Sequence, residues 1–253
     1  MDVKGCAALV TGGSQGLGEA TARALAAAGA KVAIIDVRKE QAEKVAASIG
    51  GIGLACDVSD AAQAEQAVAA ARAAHGPARI LVNCAGIAPA KRIVGRDGAM
   101  PLDDFRRVVE VNLIGSFNMM RLAAVDMGKL DPLTDGERGL VVSTASIAAF
   151  EGQIGQAAYA ASKAGVIGLM LPAAREFART GIRVLVIAPG LFGTALLLDM
   201  PKDIQDSLAQ QVPFPSRFGK PEEYADTVLW IARNPMVNGT VIRLDGAMRM
   251  QAK

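Results

Sequence analysis

Histidine is nearly absent from this chain, and its shortage excludes several kinds of catalytic site. The only histidine is His75, which follows a helical segment in His75-Gly76-Pro77. A polar helix end explains it there. A Ser-His-Asp hydrolase needs a histidine beside its nucleophile, and His75 lies near no nucleophile-elbow motif. Because a second histidine and clustered cysteines are also missing, we expect no metal site.

Cysteine is scarce too, and this bears on the cellular compartment. Cys6, Cys56 and Cys84 are odd in number and far apart, which fits neither a disulfide framework nor a zinc cluster. The first residues lack the basic region and apolar run of a secretion signal. We therefore expect a cytoplasmic protein, or one of the mitochondrial matrix only if a transit peptide is missing from this chain.

Neither an excess of one charge nor a long apolar run is present. The formal net charge of 253 residues is +2, so no strong field favours nucleic acid or an anionic membrane. No stretch offers the roughly 18 uninterrupted apolar residues of a membrane helix, since residues 184–198 are broken by Pro189-Gly190. We expect neither partner. The chain is nevertheless 51% hydrophobic, which is enough for a large core and unlike a disordered chain.

What the chain does contain is an alternation of short apolar runs and Ala-rich helical segments. The runs predict strands at 6–11, 32–36, 53–56, 80–83, 140–143, 184–188 and 241–244. Because they are apolar throughout, they fit a parallel sheet covered on both faces. The predicted helices are at about 17–29, 38–48, 60–74, 103–128, 157–179 and 221–233. We predict one doubly wound (Rossmann) α/β domain over 1–253, with a seven-stranded, mainly parallel sheet and helices on both faces.

Predicted helix caps and two long connections complete this outline. The expected N-caps are Asp60 and Asp103, and the expected C-terminal glycines are Gly29 and Gly181. Residues 87–102 form a connection that carries Lys91, Arg92 and Arg96. Residues 191–215 form an apolar one. Long loops in a compact domain are usually functional, so we expect the substrate loop at about 191–215. The three cations are candidates for coenzyme A phosphates, although a solvated basic loop explains them equally well.

A glycine-rich turn lies between the first strand and the first helix. It reads Thr11-Gly12-Gly13-Ser14-Gln15-Gly16-Leu17-Gly18. Glycines there let a pyrophosphate approach the backbone and the free N–H groups of the helix N-terminus. Asp36 ends the second strand, where its carboxylate accepts hydrogen bonds from ribose hydroxyls and repels a 2′-phosphate. The pattern predicts a dinucleotide site and favours NAD over NADP, although Arg38 nearby can accommodate the phosphate.

Tyr159 and Lys163 are four residues apart in a helical segment and therefore share one face. A free tyrosine titrates near 10, too high for a base at neutral pH, and a lysine ammonium beside it is expected to lower that pKa. Ser146 follows a strand at the sheet edge where ligands bind in doubly wound folds. We predict that Ser146 holds a substrate oxygen that Tyr159 protonates or deprotonates.

These motifs resemble the short-chain dehydrogenase/reductase family over essentially the whole chain. The matching elements are the glycine turn, Asp57-Val58, the NCAG segment 83–86, Asn112, Ser146, Tyr159-x-x-x-Lys163 and Pro189-Gly190. The resemblance implies a catalytic tetrad of Asn112, Ser146, Tyr159 and Lys163. The cofactor site that it and the glycine turn imply comprises Gly12, Ser14, Gln15, Gly16, Leu17, Gly18, Asp36, Asp57, Val58, Asn83, Cys84, Ala85, Gly86, Tyr159, Lys163, Pro189, Gly190, Phe192 and Thr194. Cys84 departs from the commoner NNAG segment, at a contact that we expect to be made by the backbone.

Four further segments resemble one subgroup of that family, the 3-hydroxyacyl-CoA dehydrogenases. They are AFEGQIGQAAYAASK (149–163), APGLFGT (188–194), QVPFPSR (211–217) and NGTVIRLDGAMRMQ (238–251). The resemblance implies NAD, a homotetramer and reversible oxidation of L-3-hydroxyacyl-CoA, with tolerance for steroid or branched-chain alcohols. The alternatives are a hydroxysteroid or other alcohol dehydrogenase, a 3-oxoacyl-carrier-protein reductase, and a dinucleotide-sensing protein without catalysis. Asp36 argues against the NADP-dependent reductase, and the intact tetrad argues against the non-catalytic protein.

Overall fold

A seven-stranded sheet forms the centre of the protein in the computed structural model, which describes residues 1–96, 98–194, 197 and 201–252. The strands are β1 Ala7–Thr11, β2 Lys31–Asp36, β3 Ile52–Ala55, β4 Ala78–Asn83, β5 Gly139–Thr144, β6 Ile182–Pro189 and β7 Val241–Leu244. Their spatial order is β3-β2-β1-β4-β5-β6-β7, and each neighbouring pair runs parallel. The predicted Rossmann fold is confirmed, and its strand order reverses between β1 and β4, where ligands bind in such sheets.

Helices cover both faces of this sheet. They are α1 Gly16–Ala27, α2 Lys39–Ser48, α3 Ala61–His75, α4 Leu102–Val109, α5 Gly115–Met127, α6 Ala157–Glu176, α7 Lys202–Gln210 and α8 Pro221–Arg233. Successive strand residues point to opposite faces, so Leu9 joins one apolar cluster with Met119, while Val10 joins a second with Leu25. The uninterrupted apolar runs of the sequence are explained by this burial on both sides.

The predicted helix at 103–128 is wrong in two details. The helix begins at Leu102, directly after Pro101, so Asp103 lies in the first turn and is not the N-cap. There its carboxylate favours the helix dipole. A π-helical turn, Glu110–Ile114, also interrupts the helix and separates α4 from α5. By contrast, the Asp60 side chain accepts a hydrogen bond from the Gln63 backbone, as expected of an N-cap.

Both long connections contain short elements that the sequence did not reveal. In the first, Val94–Gly95 pairs antiparallel with Gly98–Ala99. In the predicted substrate loop, α7 occupies the middle, while residues 195, 196 and 198–200 lie outside the described residues. The start of that loop is anchored, because the buried Phe192 forms a bridge with Gly219.

Two helical stretches in the described part of the chain are long and apolar enough to cross a membrane by length and composition alone. They are Leu102–Met127 and Ala157–Thr180. Core helices of soluble proteins pass the same test. Here α5 packs on β4 and α6 packs on β6. This packing against the sheet buries 44% of the apolar window in the first stretch and 39% in the second, so it accounts for part of their apolar character.

Candidate active site

A cleft of about 680 Å³ opens at the carboxyl ends of the strands, within the size range of small-molecule sites. Most of the predicted site residues line it. They are Gly12, Gln15, Gly16, Leu17, Gly18, Asp36, Asp57, Val58, Cys84, Ala85, Gly86, Ser146, Tyr159, Lys163, Pro189, Gly190, Phe192 and Thr194. Residues far apart in sequence therefore converge on one cleft, which the glycine turn and Asp36 line together with Ser146, Tyr159 and Lys163.

Three predicted site residues, Ser14, Asn83 and Asn112, are buried behind the lining. The Asn83 side-chain amide donates to the Ser116 carbonyl and to the Ser143 hydroxyl, both at 3.2 Å. It therefore ties β4 to its neighbours. These three positions support the cleft from behind, and the cofactor contact predicted for Ser14 and Asn83 stays a prediction.

The glycines of the turn are required by close approaches of the backbone. A Cβ on Gly12 would lie 2.7 Å from the Ala85 nitrogen, and one on Gly18 would lie 2.2 Å from the Gly12 oxygen. Gly16 has φ +54° and begins α1, whose N-cap Gln15 makes no side-chain capping bond. The N–H groups at this helix end therefore face the cleft without a protein cap. Such an end fits the pyrophosphate of a dinucleotide.

Asp36 forms the other end of that cradle. Its Oδ2 accepts from the Ser14 hydroxyl at 2.6 Å and from the Ser14 backbone at 3.2 Å, and its Oδ1 accepts from the Arg38 backbone at 3.0 Å. Burial raises the pKa of this carboxyl, but the hydrogen bonds from Ser14 and Arg38 outweigh burial and leave the pKa below its ordinary value. Asp36 is therefore an anion at neutral pH.

Arg38 lies across this carboxylate. The sequence showed only that Arg38 is near Asp36 in the chain. Its Nε is 3.3 Å from Asp36 Oδ1, and its Nη2 donates to the Ser14 hydroxyl at 2.7 Å. Its Nη1 donates to Gln15 Oε1. The guanidinium is therefore held by neighbours that also line or support the cradle, and its positive charge is balanced locally by Asp36.

Tyr159 and Ser146 meet at the opposite end of the cleft. Burial raises the pKa of the Tyr159 phenol, and a hydrogen bond from the Ser146 side chain only partly offsets that rise. The predicted lowering of this pKa by Lys163 is therefore not found, because burial dominates and the ammonium bonds elsewhere. The Ser146 oxygen also accepts from the Ala148 backbone at 3.1 Å. Tyr159 is consequently protonated at neutral pH in this structure.

Lys163 lies directly behind Tyr159. Its Nζ donates to the Thr144 carbonyl at 2.8 Å and is 5.8 Å from the centre of the Tyr159 ring. Burial lowers its pKa to about 8, although nearby Cys84 acts in the opposite direction. A buried lysine that titrates near neutrality is a common feature of functional sites.

Asn112 lies in the π-helical turn and acts on the backbone of a neighbouring loop. Its Oδ1 accepts from the Ile87 nitrogen at 2.8 Å, and its Nδ2 donates to the Ile87 oxygen and the Ser162 hydroxyl at 2.9 Å each. A Cβ on Gly86 would lie 3.1 Å from Asn112 Oδ1 and 3.4 Å from Lys163 Nζ. The π turn thus places Asn112 in contact with both the loop and α6. Such π-helical turns are frequently found at functional sites.

Sequence reasoning missed a buried pair behind Lys163. The Tyr224 hydroxyl, on α8, is 2.7 Å from the Thr144 hydroxyl, which donates to the Asn83 carbonyl at 2.6 Å. Because Thr144 has one proton to donate, Tyr224 is the donor in this pair. Thr144 directly follows the predicted strand at 140–143, and this position at the carboxyl end of a strand could have marked it as a site residue. Nothing in the spacing of Tyr224 distinguished it from an ordinary core residue.

The described residues contain neither a cluster suited to a metal ion nor a reactive cysteine. No group of three or more His, Cys, Asp or Glu side chains there could hold a metal ion. The three cysteines are free. Burial raises the pKa of Cys56 to about 11 and also raises that of Cys84, so neither is a thiolate at neutral pH. The cleft therefore presents acid–base groups and no activated nucleophilic sulfur.

Comparison with known proteins gives consistent results. The family model described as short chain dehydrogenase matches residues 6–205. The human protein named 3-hydroxyacyl-CoA dehydrogenase type-2 is 49% identical over 253 residues, covering 98% of this chain and 97% of that protein. Its cattle counterpart is 50% identical with the same coverage. The crystal structure of 3-hydroxyacyl-CoA dehydrogenase type-2 from Mycobacterium avium has a TM-score of 0.92 and 41% identity, and the match covers 98% of each chain.

Proposed function

The chain belongs to the short-chain dehydrogenase family, and from that premise we propose that it oxidises L-3-hydroxyacyl-CoA reversibly to 3-oxoacyl-CoA with NAD. It is an oxidoreductase that uses a nicotinamide dinucleotide. The names of its relatives, at 41% to 50% identity, support the acyl-CoA substrate. The observation that carries the chemistry is the meeting of Ser146 and Tyr159 in the cleft with Lys163 behind them.

The residues of the cleft fit a dinucleotide. The glycine turn, where a Cβ would collide with backbone, leaves an uncapped helix end for two phosphates, and the Asp36 carboxylate suits ribose hydroxyls. Asp36 is anionic and would repel a 2′-phosphate at short range, which supports NAD over NADP. When bound, the nicotinamide accepts or gives the hydride.

Ser146 and Tyr159 handle the proton and the oxygen of the substrate, and Lys163 lies behind Tyr159. In oxidation, the substrate hydroxyl binds between Ser146 and Tyr159, and the phenolate of Tyr159 takes its proton. The carbinol hydrogen leaves as hydride, and the C–O bond becomes a carbonyl. In reduction, the Tyr159 phenol returns the proton to the carbonyl oxygen. Because burial raises the pKa of Tyr159, the protonated form used in reduction dominates at neutral pH.

The stereochemistry of the substrate tests this proposal. Purified protein is given NAD with either L- or D-3-hydroxybutyryl-CoA, and formation of NADH is followed. We expect oxidation of the L enantiomer alone. Oxidation of the D enantiomer alone, or of free secondary alcohols and steroids in preference to both thioesters, would assign the site to another substrate class.

The basic loop at 87–102 is a second part of the proposal. Lys91 forms an ion pair with Asp104, and its backbone donates to the Gly155 oxygen at 2.8 Å, beside cleft-lining Gln156. We propose that Arg92 and Arg96, which are exposed, meet the phosphates of coenzyme A. Lys91 is instead held by Asp104 and fixes the loop at the mouth of the cleft.

We also propose that the active form is a homotetramer. Ile114, Phe117 and Val125, which lie three and eight residues apart along the π turn and α5, are 46%, 47% and 58% exposed. Large apolar side chains grouped on one surface usually mark an interface. Light scattering of the purified protein tests the assembly, for which we expect the mass of four chains. A monomeric mass at assay concentration with full activity would overturn this part.

A further inference from the structure

The C-terminal segment 248–252 lies at the substrate end of the cleft. Met250 lines the cleft, and Met248 is buried in a small apolar cluster with Ile147 and Val212. Met250 and Leu191 pack against the same cluster. Ile147 directly follows Ser146, which binds the reacting oxygen in the proposed reaction. The two methionines are therefore part of the same wall as the reacting end of the site.

An ion pair holds this segment in place. Arg243, on β7, makes two hydrogen bonds to the Glu151 carboxylate, at 2.8 and 3.0 Å. Arg243 also donates to the Met248 carbonyl at 3.1 Å, and the Met250 backbone donates to Glu151 Oε2 at 3.4 Å. A bidentate arginine–carboxylate pair of this kind fixes the relative orientation of the two side chains in addition to neutralising their charges. The position of Met250 thus depends on Glu151.

Two further hydrogen bonds join the C-terminal segment 248–252 to residues 151–154. The Gln153 side chain donates to the Gln251 oxygen at 3.1 Å, and the Ile154 nitrogen donates to the Ala252 oxygen at 3.0 Å. The segment 151–154 begins four residues after Ile147 in the chain. The C-terminal residues are consequently fixed to the part of the chain that follows Ser146, the residue that holds the substrate oxygen in the proposed reaction.

We propose that Met250, positioned by the Glu151–Arg243 ion pair, is the wall that limits the length of the acyl chain. This inference rests on the proposed function for its substrate, but the wall acts on any alkyl chain next to the reacting carbon. Met250 is a specificity-determining residue, and Glu151 is a positioning residue. A methionine suits this place because its unbranched, flexible side chain adapts to different apolar surfaces.

Met250→Ala shortens the wall and tests the proposal with a chain-length series. Reduction of acetoacetyl-CoA and of 3-oxododecanoyl-CoA is compared by kcat/KM. The substitution clears space for about two methylenes, each worth roughly fourfold in affinity. We expect the long-to-short ratio to rise about tenfold. Glu151→Gln should raise it less, since one contact to the Met250 backbone remains possible.

Two variants serve as matched controls. Met236→Ala removes the same atoms at a position that is 91% exposed and outside the cleft lining. Glu65→Gln removes a carboxylate from an exposed ion pair with Arg121. Neither should change the long-to-short ratio. An unchanged ratio in Met250→Ala, with the KM for NADH also unchanged, overturns the wall. A changed ratio in Met250→Ala but not in Glu151→Gln overturns the role of Glu151.

A binding measurement separates failure of this inference from failure of the proposed function. The binding of 2-butanone and of 2-decanone to the NAD-loaded protein is measured by calorimetry. A ketone and NAD cannot react with each other, so only binding is observed, and no thioester is involved. If neither thioester is turned over but Met250→Ala still favours 2-decanone, the acyl-CoA proposal falls and the wall remains. If the alkanone ratio does not move, the wall is refuted whichever substrate the enzyme uses.

Discussion

The Lys163 ammonium donates to the Thr144 carbonyl at 2.8 Å and lies 5.8 Å from the centre of the Tyr159 ring. Burial lowers the pKa of Lys163 to about 8 and raises the pKa of Tyr159. Removal from water disfavours the charged form of each group, so the lysine loses its proton more easily and the tyrosine less easily. The free enzyme is therefore set for proton donation by Tyr159, and oxidation should become faster as pH rises.

Lys163→Met should stabilise the protein at neutral pH. The pKa of Lys163 falls from 10.5 to about 8 on folding, so the folded state carries the full cost of a buried charge below pH 8. That difference corresponds to about 3 kcal/mol, and the lost hydrogen bond to Thr144 returns about 1 kcal/mol. We expect a net gain of about 2 kcal/mol in the free energy of unfolding.

The stability gained in Lys163→Met should depend on pH, because it comes from a buried charge that is lost as Lys163 titrates. Between pH 8 and 10.5 the unfolded chain binds more protons than the folded one, so the stability of the unsubstituted protein rises with pH and the advantage of Lys163→Met shrinks. Urea unfolding of both proteins across this interval is the measurement. A variant that is less stable at neutral pH, or an advantage that grows with pH, contradicts the buried charge.

Tyr159→Phe should nearly abolish turnover while leaving cofactor affinity close to intact. The substitution removes the group that transfers the proton, which typically contributes about 10² to 10⁴ in rate. It removes no group of the glycine turn. Steady-state kinetics and fluorescence titration with NADH measure the two effects separately. A variant that keeps most of its rate would remove Tyr159 from the mechanism.

The second tyrosine of the chain supplies the control. Tyr224 is fully buried behind the cleft, and its hydroxyl is 2.7 Å from the Thr144 hydroxyl. Tyr224→Phe keeps the ring and removes that hydrogen bond and the weaker one that the Cys84 thiol donates at 3.9 Å, so we expect a stability loss of about 1 kcal/mol and retention of most activity. Equal losses of rate in both variants would mean that Tyr159 acts through structure and not through its proton.

The sequence predicted the sheet because most of its strands contain an apolar run, such as residues 32–35 in β2 and residues 184–188 in β6, and burial on both faces leaves that pattern directly visible. It predicted the cradle because glycine has few reasons to recur at Gly12, Gly16 and Gly18 other than close approach and positive φ. The π-helical turn could not be predicted. The contact that it makes, from Asn112 to the Ile87 backbone, joins residues 25 apart in the sequence and depends on the assembled fold.

The direction of the Tyr159 pKa shift was also beyond the sequence. The spacing of Tyr159 and Lys163 showed that they share a helix face, but not that both are buried or that the ammonium binds Thr144. The same holds for Met250. Its place in the cleft follows from an ion pair between Glu151 and Arg243, and no local pattern links those positions.

Asp36→Ser should move the cofactor preference toward NADPH. The carboxylate is the group that we expect to bind the ribose hydroxyls, and its removal frees Arg38, which now pairs with it at 3.3 Å. A hydrogen bond to a charged group is worth about 1.5–3 kcal/mol, so the ratio of kcat/KM for NADH over NADPH should fall roughly tenfold to a hundredfold.

Adding Arg38→Ala to that variant tests the role assigned to the arginine. If the guanidinium holds the 2′-phosphate once Asp36 is gone, the double variant should lose the gain with NADPH while its activity with NADH stays low. An unchanged cofactor ratio in Asp36→Ser would mean that Asp36 does not contact the ribose. Kinetics with both cofactors at one fixed substrate concentration, for the unsubstituted protein, Asp36→Ser, Arg38→Ala and the double variant, complete the cycle.

Reversing the charge of the basic loop should weaken binding of thioesters alone. In Arg92→Glu/Arg96→Glu we expect the KM for acetoacetyl-CoA to rise about fivefold to tenfold, because two exposed cations lose their phosphate partners. The KM for a free ketone should not change. The same rise for both substrates would place the effect in the cleft itself, and no rise for acetoacetyl-CoA would make the loop an ordinary solvated surface.

The most direct test of the account is the oxidation of NADH by acetoacetyl-CoA, followed by the loss of NADH absorbance and repeated with NADPH under the same conditions. The account predicts rapid turnover with NADH and at least about tenfold slower turnover with NADPH, because of the anionic Asp36. Faster turnover with NADPH would contradict the cofactor assignment. No turnover with either cofactor, despite measurable binding of NADH, would contradict the acyl-CoA substrate.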